Sequence, residues 1–260
     1  MTVRVRLFLV LWLAGLAGIL SFQLVDLTTL IAMLPDAGAK PLPLPMVAIR
    51  LLSILQPAVL VGAGVFVGVL LAPRVRLSAP AAEAFAERRA IVPALRPQLL
   101  PAALGAVIAA PVIMGSWLLW RPFLSPSFVQ SAEAFNRMLP PLTRLLYGGI
   151  TEELLVRWGF MSFLVWAAWK GLQKGTGAPR PVYVVSAIVC SALVFGAGHL
   201  PIAIALNGAP SLPLVTYVVF ANAFFGIIGG LLYRKKGLES AIVAHALAHV
   251  AFLVSGSMLT

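Results

Sequence analysis

The sequence predicts an all-α, polytopic membrane protein, a single bundle of about seven transmembrane helices. Apolar residues make up 61% of the 260 residues and charged residues only 10%, and the mean hydropathy is +1.00. Soluble domains contain about 25% charged residues, so this composition cannot cover a surface that faces water. The apolar runs are continuous rather than alternating, which favours helices over a closed barrel.

Seven apolar runs account for the bundle, since a helix needs about 20 residues to cross the hydrocarbon core. They are Leu7–Val25, Met46–Ala72, Leu99–Trp120, Leu142–Trp169, Val182–Leu206, Leu212–Tyr233 and Leu238–Val254. Arg4 and Arg6 precede the first run, as in a signal peptide, but no small-residue cleavage site ends that run early. We therefore expect an uncleaved anchor.

The connections between these spans differ in charge, and the alternation predicts the orientation. Basic clusters precede span one and follow spans two, four and six: Arg4 and Arg6; Arg74, Arg76, Arg88, Arg89 and Arg96; Lys170, Lys174 and Arg180; Arg234, Lys235 and Lys236. The other connections carry little positive charge: Lys40 with Asp26 and Asp36, Arg121 and Arg137 with Glu133, and none in Pro201–Ser211. Because cytoplasmic loops are enriched in Lys and Arg, we expect the N-terminus inside and the C-terminus outside. The net charge of +11 thus belongs to membrane loops, which argues against nucleic acid as a partner.

Two connections have the composition of short surface helices. Pro80–Ala94 mixes charged and apolar residues, as a helix on the cytoplasmic surface would, and Ser127–Leu139 has a similar character on the outer side. A plain loop is an equally good interpretation of both. Cys190 stands alone in an apolar run, which excludes an internal disulfide.

Ionisable residues deep inside the spans are the main functional signal, because each costs about 2.5–3.5 kcal/mol to insert. Arg50 and Arg144 lie near span ends and can reach the interface. Glu239 lies in the first turn of span seven, where a carboxylate favours the helix dipole. The residues without such an explanation are Glu152, Glu153, Arg157, His199, His245 and His249, which include all three histidines of the chain.

Helix geometry divides the roles of the two neighbouring carboxylates. At about 100° per residue, Arg157 lies about 40° from Glu153 but about 140° from Glu152. Glu153 and Arg157 can therefore form an i,i+4 ion pair, which leaves Glu152 available for chemistry. A purely structural charge cluster that locks the helices together is the alternative.

The buried histidines can be interpreted as part of a functional site or as structural links between helices. His245 and His249 are four residues apart, so they share one helix face and could bind a metal or polarise a carbonyl together. A single buried histidine is as often a link between helices. Phe195 precedes His199 by one turn and could shape the pocket. Asn222 lies on a stripe of small residues in span six; it could reach the site as a supporting residue, but helix packing is its preferred role.

The ordered motifs in separate spans resemble those of a known family. They are Glu-Glu-x-x-x-Arg at Glu152, Glu153 and Arg157, Phe-x-x-x-His at Phe195 and His199, and His-x-x-x-polar at His245 and His249. The set resembles the CAAX protease and bacteriocin-processing family, also called abortive-infection or CPBP intramembrane proteases. The resemblance covers residues 142–254, which we expect to form the catalytic core, with residues 1–120 as accessory spans of one membrane domain, 1–260.

The resemblance implies an intramembrane endopeptidase that hydrolyses a peptide bond of a membrane-associated protein or peptide. Carried over residue by residue, Glu152 would activate the attacking water with the assistance of His199. His245 would stabilise the oxyanion, and Glu153 with Arg157 would be the supporting pair. His249 stands where the family most often has Asn.

His249, in place of the usual Asn, leaves two mechanisms open. His199, His245 and His249 could hold zinc with one position free for water, and Glu152 would then act as the base of a metalloprotease. In a metal-free site, His249 would instead donate a hydrogen bond to the oxyanion, as an amide does. We favour the metal-free mechanism, because the resemblance puts a hydrogen-bond donor here.

Two other functions fit the same residues less well. A catalytically silent scaffold or a bacteriocin self-immunity factor of the same family is the first alternative. A transporter with a Glu/His proton relay ranks last, since the spans show no inverted repeat. Arginine outnumbers lysine 14 to 5 and alanine is abundant, which indicates a GC-rich bacterial genome and hence the inner (plasma) membrane.

Overall fold

The structure, a computed structural model, describes residues 1–33 and 44–258, which form helices joined by turns without a strand. It confirms the predicted all-α membrane bundle. Asp36 and Lys40, which contribute to the predicted charge pattern, lie outside the described residues.

The helices follow one another in the order that the apolar runs predict, with shorter helices between them. They are α1 Val3–Ser21, α2 Leu27–Ala32, α3 Met46–Leu71, α4 Pro80–Ala86, α5 Ile91–Trp120, α6 Pro126–Met138, α7 at residues 141–172, α8 Pro181–Gly198, α9 Leu200–Asn207, α10 Leu212–Lys236 and α11 Leu238–Met258. Short 3₁₀ turns extend α1, α3 and α5 at Phe22–Leu24, Ala72–Val75 and Arg121–Phe123.

Six stretches of the described chain are long and apolar enough to cross a membrane. They are Val3–Leu24, Met46–Val75, Ile91–Phe123, Pro181–Asn207, Leu212–Lys236 and Leu238–Ser255, which correspond to predicted spans one, two, three, five, six and seven. The predicted fourth span lies in α7, an uninterrupted helix that is less apolar because it carries Arg144, Glu152, Glu153 and Arg157. The chain is an integral, multi-pass membrane protein by this length and composition.

Helix α7 has an unusual middle section. It begins and ends as α-helix, at Pro141–Thr143 and Ser162–Leu172, but Arg144–Glu152 and Leu154–Met161 have the wider π-helical turn. Single π-turns occur often at functional sites, and long π stretches are rare. The section that the sequence marks as functional is therefore also the section with irregular helical geometry.

Helix α7 packs tightly against the N-terminal spans. Trp158 is fully buried, and its indole Nε1 donates to the carbonyl of Val65 in α3 at 3.3 Å. The indole fits because Gly68 has no side chain, and a Cβ there would overlap the Trp158 ring. Thr151 Oγ1 donates to the carbonyl of Gly15 in α1 at 2.9 Å. The first two spans therefore fix the position of the helix that carries the two glutamates.

The predicted surface helix Pro80–Ala94 is wrong in its second half. Helix α4 ends at Ala86. Two residues later, Arg88 adopts a left-handed conformation with φ 61°, which turns the chain. The chain from Ile91 onward already belongs to α5, so span three begins before the predicted Leu99. The polar character of this segment therefore reflects a turn between two helices rather than one continuous surface helix.

Glu239 lies in the first turn of α11, as predicted, and it also caps a second helix. Its Oε1 accepts hydrogen bonds from the backbone N–H groups of Ala81 and Ala82 at 2.9 Å each. Its Oε2 accepts one from Gln98 Nε2 at 3.2 Å. Glu239 therefore caps the N-terminus of α4, where the orphan N–H groups favour a carboxylate. This contact ties α4, α5 and the start of α11 together.

The predicted outer helix at Ser127–Leu139 is present as α6, Pro126–Met138. Ser125 caps it, since its Oγ accepts from the Phe128 N–H at 3.1 Å. Arg144 lies beneath its other end, where Nε donates to the carbonyl of Leu139 at 3.3 Å and a second nitrogen donates to the carbonyl of Asn136. Arg144 thus joins α6 to the beginning of α7.

Candidate active site

Four helices meet where the predicted site residues come together. Helix α7 supplies Glu152, Glu153 and Arg157, the junction of α8 and α9 supplies His199, and α11 supplies His245. Most of these side chains are removed from the surface, and Glu153 and Arg157 have no exposed area. These ionisable side chains, which come from separate helices, therefore meet at one point of the bundle.

Glu153 and Arg157 form a buried ion pair at the base of this cluster. Arg157 Nη1 lies 3.1 Å from Glu153 Oε1, and Arg157 Nη2 donates to the carbonyl of Gly226 in α10 at 3.2 Å. The i,i+4 contact persists although this part of α7 is π-helical. Because each buried charge has an opposite charge beside it, the pair is tolerated inside the bundle.

Two aromatic rings complete the surroundings of Arg157. Its guanidinium carbon lies 4.7 Å from the ring centroid of Phe195 and 5.8 Å from that of Phe225, which is within the range of cation–π attraction. A Cβ at Gly229 would lie 3.0 Å from Arg157 Nη2, so this glycine makes room for the guanidinium. The arginine is thereby enclosed by apolar groups and fixed in one orientation.

His199 lies at a break between two helices. Helix α8 ends at Gly198 and α9 begins at Leu200, with Pro201, which has no N–H, in its first turn. His199 Nδ1 lies 2.8 Å from the carbonyl oxygen of Phe195. A carbonyl only accepts, so Nδ1 is the donor and Nε2 of the neutral ring carries no proton.

Glu152 faces two histidines across a short gap. Its Oε1 lies 3.9 Å from His199 Nε2, and its Oε2 lies 4.0 Å from His245 Nε2. Both distances are too long for direct hydrogen bonds and suit a bridging water. The Glu152 side chain keeps 21% of its area exposed, whereas that of Glu153 has none. Of the two glutamates, Glu152 is therefore the one that water can reach.

His245 is held from its other side by Glu153. His245 Nδ1 lies 2.9 Å from Glu153 Oε1, which fixes Nδ1 as the donor and leaves Nε2 of a neutral ring without a proton. Phe225 packs on the imidazole with ring centroids 4.2 Å apart. The ring is thus fixed in orientation, with Nε2 directed toward Glu152.

His249 lies beside this cluster rather than within it. Its ring stacks on His245, with centroids 4.9 Å apart and an angle of 14° between the planes. Both ring nitrogens are buried, and neither has a hydrogen-bond partner among the described residues. Nε2 points at Gly148 in α7, where an added Cβ would overlap it. His249 therefore retains two polar atoms that can take a partner.

Residues 134–251 match the family described as type II CAAX prenyl endopeptidase Rce1-like. This stretch is similar to that family. It runs from within α6 to within α11, so it includes every site residue described above. The match confirms the predicted family resemblance and supports a peptidase with a membrane-associated substrate. Comparison of the chain with curated proteins and with solved structures gives no match.

As the structure places them, His199, His245 and His249 do not converge on one point as the hypothesised three-histidine zinc site would require. Zinc needs ligand atoms that converge on one point about 2 Å from each. The rings of His245 and His249 stack nearly parallel, and His249 Nε2 points at Gly148 in α7. Among the described residues, His, Cys, Asp and Glu form no group of three or more that could hold a metal ion.

Asn222 is bonded within its own helix, whereas Phe225 packs on the site residues. Asn222 Nδ2 donates to the carbonyl of Val218 in its own helix at 2.8 Å, so the structure does not bring this side chain to the glutamates. Phe225, not selected as a site residue, packs on both His245 and Arg157. The adjacent Gly226, one of the small residues of span six, was the available signal, since its carbonyl accepts a hydrogen bond from Arg157.

Proposed function

We propose that the chain is an intramembrane endopeptidase that hydrolyses a peptide bond of a membrane-associated protein or peptide, with Glu152 as the general base. The observation that carries the proposal is the position of the Glu152 carboxylate between His199 Nε2 and His245 Nε2, at 3.9 and 4.0 Å. A water molecule in this gap would be within reach of the base and of a ring nitrogen that orients it.

The reaction begins with the transfer of one proton from this water to Glu152. The water oxygen then bonds to the carbonyl carbon of the scissile peptide, and the carbonyl electrons move to oxygen to give a tetrahedral oxyanion. Collapse of this intermediate breaks the C–N bond, and the proton on Glu152 passes to the departing amine. His199 Nε2 accepts a hydrogen bond from the second O–H of the water and orients it, because the Nδ1 proton is donated to the Phe195 carbonyl.

His245 is the proposed partner of the oxyanion, and its hydrogen bond to Glu153 sets a condition on that role. A ring that donates from Nδ1 to Glu153 can donate from Nε2 only when it carries both protons. In that state the negative charge of Glu153 lies on one side of the ring and the oxyanion on the other. His249, whose nitrogens have no partner among the described residues, is the proposed second donor and reaches the oxyanion by rotation of its side chain.

A cleavage assay on the purified full chain in proteoliposomes tests this function. Peptides with a prenylated C-terminal CAAX motif, suggested by the name of the matched family, are compared with the same peptides lacking the prenyl group. The expected result is cleavage by the wild type and none by Glu152→Gln. A well-folded wild type that binds the peptide without cleaving it would instead identify a silent scaffold or immunity factor. Membrane proteins that accumulate uncleaved in cells with Glu152→Gln would reveal the natural substrate.

A further inference from the structure

An apolar groove of about 300 Å³ lies on the outside of the bundle between α5 and α10, away from the glutamates. The α5 side consists of Pro101, Leu104, Gly105 and Ile108, which share one helix face. Leu104 and Ile108 are 55% and 57% exposed, so they face lipid in a membrane. Gly105 forms the floor, since a Cβ there would lie 2.8 Å from the Leu232 side chain.

The α10 side is apolar along most of its length and basic at one end. Ile228, Leu231 and Leu232 continue the apolar surface, and Lys235 and Lys236 complete it in the last turn of the helix. Both lysines are exposed, and neither forms an ion pair with another described residue. The groove therefore has an apolar channel that leads to two unpaired positive charges at the end of a transmembrane helix.

We propose that this groove binds one anionic phospholipid, with an acyl chain along the apolar channel and the phosphate at Lys235 and Lys236. Apolar walls match a hydrocarbon chain, and basic pockets between transmembrane helices attract anionic headgroups. A soluble phosphate ester could contact only the lysines. A zwitterionic lipid could place its acyl chain in the channel, but its headgroup has no net negative charge to pair with the lysines. The combination selects a lipid that has both parts.

Native mass spectrometry of the purified full chain in detergent tests the proposal. The chain is titrated with phosphatidylglycerol, with phosphatidylcholine of the same acyl chains, and with glycerol 3-phosphate. The expected result is one bound phosphatidylglycerol at saturation, weaker binding of phosphatidylcholine, and no retention of glycerol 3-phosphate. Equal binding of the two lipids, or binding of glycerol 3-phosphate alone, would overturn the proposal.

Matched variants separate this groove from the general attraction of basic loops for anionic lipid. Lys235→Gln with Lys236→Gln should weaken phosphatidylglycerol binding about 30-fold. Lys170→Gln with Lys174→Gln removes two exposed lysines at the end of α7 and just after it and should leave binding unchanged. An equal loss in both pairs would show that total charge, rather than the groove, attracts the lipid.

A substitution in the channel tests the acyl-chain part of the site. Ile108→Trp places a bulky ring in the groove at a lipid-facing position and should abolish binding of the single phosphatidylglycerol. Leu119→Trp, at another exposed position of α5, is the control and should bind like the wild type. Unchanged binding in Ile108→Trp would show that the lipid does not occupy this channel.

Discussion

Glu153 Oε1 lies 2.9 Å from His245 Nδ1, so the residue that follows Glu152 in the chain holds the histidine that faces Glu152. The same oxygen lies 3.1 Å from Arg157 Nη1. One buried carboxylate oxygen therefore fixes both an imidazole and a guanidinium. The two consecutive glutamates have different tasks, and exchanging their roles would require a different arrangement of α7 and α11.

Conservative substitution of each glutamate should give different phenotypes. Glu152→Gln removes the proposed base but leaves the buried contacts intact, so we expect a folded protein without turnover. Glu153→Gln leaves Arg157 buried beside a neutral amide, and loss of one partner of a buried ion pair costs about 3–5 kcal/mol. The yield of monodisperse protein and the turnover of both variants are measured side by side. An active Glu152→Gln together with a well-folded, inactive Glu153→Gln would reverse the assignment.

Substitutions of His249 should distinguish a hydrogen-bond donor from a zinc ligand. In the proposed metal-free site, His249→Ala should reduce kcat about 100-fold, the usual effect of losing one oxyanion donor. His249→Asn should retain most of the activity, because an amide also donates. Elemental analysis of the purified proteins provides a readout that is independent of turnover. Stoichiometric zinc in active wild type, lost with the activity in His249→Asn, would contradict the metal-free mechanism.

The capping contact of Glu239 should contribute measurably to stability. Glu239→Ala leaves the N–H groups of Ala81 and Ala82 without their acceptor, and such unsatisfied groups cost about 1–3 kcal/mol when buried. Glu133→Ala removes the exposed ion pair with Arg121 and should cost less than about 1 kcal/mol. Chemical unfolding in detergent compares the two free energies. Similar values for both variants would show that the cap does not stabilise the bundle.

The orientation in the membrane remains a prediction from the basic loops, and two reporter fusions test it. A reporter inserted after Gly177, in the connection between α7 and α8, should be cytoplasmic. One inserted after Ala209, between α9 and α10, should be external. Accessibility to a membrane-impermeant label in intact cells distinguishes the two sides, and finding both reporters on one side is incompatible with the predicted seven spans.

The sequence was sufficient to predict the bundle and most of the cluster because both depend on simple helix geometry. Apolar runs of the required length define the spans, and four-residue spacing pairs Glu153 with Arg157. Ionisable residues in a membrane are rare without a role, which selected Glu152, His199 and His245. Each of these inferences depends only on which residues lie near a given residue in the sequence of its own helix.

Features that depend on distant parts of the chain were not predictable in this way. The carboxylate of Glu239 caps α4 because the fold brings residue 239 to residues 81 and 82, and no local pattern encodes that contact. The direction of the His249 ring depends on Gly148 in another helix. The π-helical turn of α7 likewise has no marker in spacing or composition, so the sequence placed these side chains on an ordinary helix.

The hydrogen bonds from α7 to the N-terminal spans limit how far this protein can be shortened. Thr143 Oγ1 donates to the carbonyl of Ser21 at 2.8 Å, Thr151 to that of Gly15, and Trp158 to that of Val65. All three acceptors lie outside residues 134–251. A fragment that contains only that stretch would leave two hydroxyls and an indole N–H without their acceptors in the lipid hydrocarbon. A shortened version of this protein should therefore retain α1 and α3.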